Sequence, residues 1–193
     1  MAASRLRGRR RGAPPRRRAA RAARGRLPGG GAGRGAGARG DLRAALSAWT
    51  RAIKVAGGLD RSARSGRRGP GHILADPGAG SAAKRVLLMV RWMARPADGV
   101  DLGLWDVPIS RLLVPVDVHI HRLGFNLGFT ARKSADWKAA EEITAALARF
   151  DAADPVKYDF ALCHLGMLQR CPSRRDAERC QGCGIQTVCR HWR

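Results

Sequence analysis

The chain has 193 residues, room for one domain of ordinary size and too few for two large ones. Lys and Arg number 37 against 15 Asp and Glu, a formal charge of +22, and solvated charge of one sign in such excess points to a polyanionic partner. No apolar run approaches the roughly 20 residues that span a bilayer, and no apolar stretch follows the early arginines as an export signal would require, so the sequence predicts a cytoplasmic, nucleoid-associated monomer with no membrane partner.

Residues 1–40 are almost wholly Arg, Ala, Gly and Pro, with thirteen Arg, no acidic residue and only Leu6 and Leu27 as large apolar side chains. Such a segment cannot bury enough surface to offset the entropy of ordering it. It reads as a disordered basic tail that grips phosphate or, equally, as the translation of a wrong start or frame in a GC-rich gene. The remaining +9 of the charge falls on residues 41–193.

Residues 41–56 set Leu42, Leu46, Trp49 and Ile53 at helical spacing. Residues 57–80 are rich in Gly, Pro and Arg and read as loop. An apolar helix is expected over 81–95, capped by Ser81, followed by an irregular stretch over 96–115. A helix starts near Asp117. Another, over 134–150 with Ser134 as cap, carries the stripe Trp137, Ala140, Ile143, Leu147 and Phe150. Asp154-Pro155 signals a last helix over 156–169, with Val156, Phe160, Cys163 and Met167 on one side. Strand signals are few. The expected architecture is all-α: a helical domain over 41–170 and a cysteine loop over 171–193.

That loop carries the firmest chemical signal. Four of the chain's five cysteines follow the spacing Cys171-x8-Cys180-x2-Cys183-x5-Cys189. A Cys-x2-Cys pair puts two thiolates on one tight turn, and four thiolates suit a tetrahedral zinc or a cubane of four irons and four sulfides. Only one such knuckle is present, whereas zinc sites usually carry two, which favours a [4Fe-4S] cluster over zinc. Cys163, on an apolar helix face, reads as a small core residue.

Two further segments bear on chemistry. In PGAGSAAKRVLL, residues 77–88, Gly78 and Gly80 permit a tight turn and a close approach to phosphate. In VPVDVHIHRLGF, residues 114–125, Asp117 opens a helix, where the dipole favours its ionised form; a carboxylate there is also an ordinary cap. His119 and His121 would meet phosphate or Asp117, or form a polar helix face. Trp92, Trp105 and Trp137 would stack a base or fill the core, and His164 reads as a satisfied core residue.

Taken in chain order, the hairpin, the aspartate and the cysteine loop resemble the helix-hairpin-helix DNA glycosylases. The cysteine spacing is similar to the Cys-x6-Cys-x2-Cys-x5-Cys loop of the endonuclease-III-like members, with a first gap two residues longer. Pro77, Gly78, Gly80 and the apolar run from Val86 fall into register with their hairpin, and Asp117, His119 and Arg122 match the segment that bears their catalytic aspartate. KRVLLMVRWMARPADGVDLGLW, DWKAAEEITAAL and DPVKYDFALCHLG resemble an uncharacterised bacterial branch, remotely similar to the archaeal 8-oxoguanine DNA glycosylases. The likeness covers about residues 41–193.

The resemblance implies a DNA base-excision repair glycosylase bound to duplex DNA, with or without a lyase step. Asp117 would stabilise an oxocarbenium-like transition state, and Lys84 would attack C1′. A gap-free match to the endonuclease-III hairpin puts Ala82 in the nucleophile's slot, two residues before Lys84. Lys84 therefore stands as nucleophile by its interval to Asp117, as in the archaeal enzymes, or as a surface lysine. Gly78 and Gly80 would approach phosphate; Arg174, Arg175 and Arg179 would do so from a loop pinned by the cluster on Cys171, Cys180, Cys183 and Cys189. The resemblance also implies helices before residue 41 that residues 1–40 do not offer. Two other readings stand beside this one: a non-catalytic DNA-binding iron–sulfur protein, and a small basic zinc-binding protein that associates with RNA.

Overall fold

The computed structural model describes residues 37–59 and 69–193. Among these the chain is helical, with no strand. Nearly all of the tail expected to be disordered lies outside the described residues, but its last four residues do not: helix α1 spans Gly37–Ala56 and starts before the expected boundary at 40. Leu42 and Leu46 of α1 are buried, as are Ser47 and Thr50. Within the expected loop over 57–80 there is a short helix α2, Gly69–Ile73, and a 3-10 turn, Pro77–Ala79.

Helix α3 runs Lys84–Ala94 and begins three residues later than Ser81 would have it. The reason is local. Ala83 sits in the left-handed region at φ 45°, and the Ser81 hydroxyl accepts the Ala83 N–H instead of capping a turn that starts at its own position. Val86, Leu87, Val90 and Arg91 of α3 are buried. Residues 96–115 are irregular, as expected, apart from a 3-10 turn at Ile109–Arg111. They are held to α3 by charge: Arg95 bonds Asp98 and Asp101, and Arg91 reaches Asp101 at 3.4 Å while also bonding Asp159 at 2.6 Å.

From Leu112 the chain runs extended and buried through the core. Thr144 fixes it there by accepting the Val114 N–H at 2.9 Å. That run delivers Asp117 to the start of helix α4, Val118–Asn126.

Helix α5 spans Trp137–Leu147, and its cap is Asp136, not Ser134: the Asp136 carboxylate accepts the Ala139 N–H at 2.9 Å. Trp137, Ala140, Ile143 and Leu147 form the buried stripe; Phe150, beyond the helix end, is exposed. At the next junction Asp154 makes no cap bond, because both its oxygens are engaged by Arg95. A 3-10 turn, Pro155–Tyr158, therefore precedes helix α6, Asp159–Leu168.

Helix α6 packs along α4. A Cβ on Gly166 would stand 3.1 Å from His119 Cβ and 3.1 Å from Leu123 Cδ1, so the glycine sets how closely the two helices cross. The expected buried side of α6 is wrong in part: Val156 is buried and Cys163 half-buried, but Phe160 and Met167 are exposed. His164 is not in the core either; its ring stacks on Phe160, with centroids 4.0 Å apart. No helix among the described residues is long and apolar enough to cross a membrane.

Candidate functional site

The structure brings Lys84 and Asp117 together. Lys84 is the first residue of α3, Asp117 caps α4, and Lys84 Nζ donates to Asp117 Oδ2 at 2.8 Å across 33 residues of sequence. The two oxygens of Asp117 are divided. Oδ1 accepts the N–H groups of His119 and Ile120, at 2.9 and 2.8 Å, which is the cap; Oδ2 is left for side chains. The Lys84 side chain is 41% exposed and that of Asp117 15%, so the lysine stands at the mouth of the site and the carboxylate behind it. Burial works to raise the Asp117 carboxyl, but the Lys84 ammonium and the two helix amides outweigh it and hold it below the ordinary carboxylate value.

A third group sits at the same oxygen. Cys163 Sγ lies 3.9 Å from Asp117 Oδ2. Burial, and then the Asp117 charge, push its thiol up, so it stays protonated and can donate. Behind it on α6 is Asp159, buried and paired with Arg91. Burial raises the Asp159 carboxyl against the pull of that guanidinium. Sequence reasoning gave Cys163 to the core and missed Asp159. The only signal was their four-residue spacing on one helix, which does not say which helix they face.

The hairpin glycines make the tight turn expected of them. Gly80, at φ 86°, makes the left-handed turn that only glycine adopts cheaply. Its N–H, however, bonds Pro77 O, and the Gly78 N–H bonds Asp76 Oδ1 at 2.8 Å. Both amides are therefore engaged within the protein. Gly78 is required by α1: a Cβ there would stand 2.5 Å from Ser47 Oγ. Asp76, which also bonds Ser47 and Arg51, locks this corner together.

Cationic side chains gather instead beside α4. An open groove is lined by Arg122, Arg132, Lys133, His121 and Ser173. Of the loop arginines, Arg174 is exposed, Arg175 lies over the Trp192 ring at 4.1 Å, and Arg179 pairs with Asp176 at 3.4 Å.

The cysteine loop folds back on α4. Arg122 Nη1 donates to Cys171 O at 2.8 Å, Asn126 Nδ2 donates to Cys171 Sγ at 3.3 Å, and the Arg190 N–H bonds Asn126 O at 2.7 Å. Cys171, Cys180, Cys183 and Cys189 all line one cavity; Cys180 and Cys189 are buried, and none is in a disulfide. Burial raises the Cys171 thiol, with the Asn126 amide opposing. Among the described residues no three His, Cys, Asp or Glu are close enough to hold a metal ion. The donors nonetheless suit a four-thiolate centre: four sulfurs share a wall-lined cavity, and the buried nitrogens His191 Nε2 and Trp192 Nε1 beside them have no partner. To ligate, the thiols would draw together.

Fold and site thus define a helical protein, across the described residues, with a lysine–aspartate pair at the mouth of two helices. The chain belongs to the family described as protein of unknown function (DUF2400), which matches over residues 36–168. The match spans Lys84, Asp117, Asp159 and Cys163 and ends before Cys171. No curated protein and no solved structure matches the chain.

Proposed function

We propose that the chain is a helix-hairpin-helix-type DNA glycosylase that removes a damaged base from duplex DNA and then acts as a lyase through Lys84. The observation that carries the reading is the 2.8 Å contact of Lys84 Nζ with Asp117 Oδ2. A nucleophilic amine and an ionised carboxylate on separate helices form the pair such a reaction needs.

The steps follow from the two groups. A flipped nucleotide presents C1′ to Lys84. As the bond from C1′ to the base breaks, its electron pair leaves with the base, and positive charge develops on C1′ and O4′. Asp117, ionised and mostly buried, stabilises that charge where water screens it least. Lys84 Nζ bonds to C1′, and the proton its ammonium gives up goes to the departing base. The C1′–O4′ bond then opens: O4′ takes the electron pair and the second proton of Nζ to become a hydroxyl, and the nitrogen lone pair this frees makes C1′ an iminium on Lys84. Loss of a C2′ proton expels the 3′ phosphate and breaks the strand.

The basic groove beside α4 gives the phosphate backbone a surface next to this pair. Cys171, Cys180, Cys183 and Cys189 would hold a [4Fe-4S] cluster, which supplies structural cross-linking of the loop, not a chemical step.

The test is borohydride trapping on duplex DNA bearing an oxidised purine. The parent should give a covalent adduct, and Lys84→Gln none, because an amide cannot form the iminium. Asp117→Asn should slow base release by about 10²–10³-fold with duplex binding retained. If Lys84→Gln releases base at the parent's rate without nicking, the enzyme is monofunctional. If Asp117→Asn matches the parent, the glycosylase reading fails and a non-catalytic DNA-binding protein replaces it.

A further inference from the structure

His191 and Trp192 follow the last cysteine by two and three residues, and both line the cavity of the four thiols. Trp192 Nε1 and His191 Nε2 are withdrawn from solvent and have no hydrogen-bond partner. A buried polar nitrogen without a partner costs about 1–3 kcal/mol, and native proteins rarely keep two side by side. Of the groups around them, the Asn126 amide nitrogen is committed to Cys171 and Pro172 O, Leu123, Leu165 and Ile185 offer no acceptor, and the Gln169 and Gln186 side chains, which also line the cavity, bond neither nitrogen. Four of the acceptors lining that cavity are sulfur atoms, those of Cys171, Cys180, Cys183 and Cys189. An indole N–H is a donor only, so Trp192 can be satisfied there by a thiolate or sulfide and by nothing cationic.

We infer that Trp192 and His191 donate hydrogen bonds to the sulfur atoms of the metal centre held by Cys171, Cys180, Cys183 and Cys189. The inference rests on the proposed metal centre and holds for zinc thiolates as for an iron–sulfur cluster, since both gather negative charge on sulfur. Donors to ligating sulfur lower that charge, stabilise the bound form and, for a cluster, raise its reduction potential. Arg175 complements the arrangement. Its guanidinium lies over the Trp192 ring and keeps the indole in place without approaching through the ring nitrogen's hydrogen bond.

The full-length protein is loaded anaerobically with iron and sulfide, or with zinc alone, and metal loss to a chelator is timed. Trp192→Phe keeps the ring under Arg175 and removes only the donor; His191→Leu removes the second donor. Metal loss should be about ten- to a hundredfold faster in each variant, with helical circular dichroism unchanged, and the cluster's potential should fall. Arg175→Ala, which leaves both donors, should lose metal far more slowly than Trp192→Phe. If the parent takes up metal and both donor variants match it, the inference fails while the metal centre stands. If the parent takes up neither iron nor zinc, the metal centre and the inference fall together.

Discussion

The Lys84–Asp117 corner and the cysteine loop are built in opposite ways. At the corner every charged group has a protein partner: Lys84 with Asp117, Asp117 with two helix amides, Asp159 with Arg91. The loop has sulfur atoms, an indole and an imidazole around one cavity, and two buried nitrogens there bond nothing. The corner keeps partnerless atoms of its own, Arg91 Nε, Asp101 Oδ1 and His119 Nδ1, but its charged pair is formed as it stands. The loop's unpaired groups line a cavity and are completed by something it binds. The family match divides the molecule at the same place, covering the corner and stopping short of the loop.

The largest effect should come from Cys183→Ala. It should abolish metal uptake while leaving helical content near the parent's, because α1 and α3–α5 bury their apolar faces on one another without the loop. Wholesale loss of helix, measured by circular dichroism, would mean that the two regions are not separable. Gly166→Ala should disturb both, since it forces α6 off His119 and Leu123. Overpacking of this kind costs about 1–3 kcal/mol, read as a shift in the denaturant midpoint. Asp136→Ala removes the α5 cap and the partner of Arg132, and should cost about 1 kcal/mol with no change in metal uptake.

The smallest effect is pH-dependent. The Asp117 carboxyl lies lower in the folded chain than in the unfolded one, where it is about 3.9. Its contribution is therefore complete above that value and disappears as pH falls through the folded one. Stability of the parent over Lys84→Gln should be constant near neutrality and shrink in acid. A gap that widens in acid would mean that Asp117 is not held ionised by Lys84.

Much of this was readable in the sequence because it depends on local signals. The helix periods around Leu46, Val86 and Ile143, the cap at Asp117 and the cysteine spacing need no tertiary knowledge. What failed were helix starts, where side chains competed: Asp136 capped in place of Ser134, and Asp154 went to Arg95. The exposure of Phe160 and Met167 was equally hidden, because period says which residues share a face but not which face finds a neighbour. The pairing of Lys84 with Asp117 depended on the left-handed turn at Ala83, which starts α3 at Lys84. Cys163 packs on the core as its helix face suggests, but its contact with Asp117 was hidden because the partner lies 46 positions away.

The most direct measurement is the identity of the residue carrying the borohydride-trapped sugar. After proteolysis, mass spectrometry of the parent's adduct should place the added mass on Lys84 alone among the five lysines at 54, 84, 133, 138 and 157. An adduct on any other lysine, or none on a duplex whose damaged base is released, would contradict the assignment of Lys84 as the nucleophile beside Asp117.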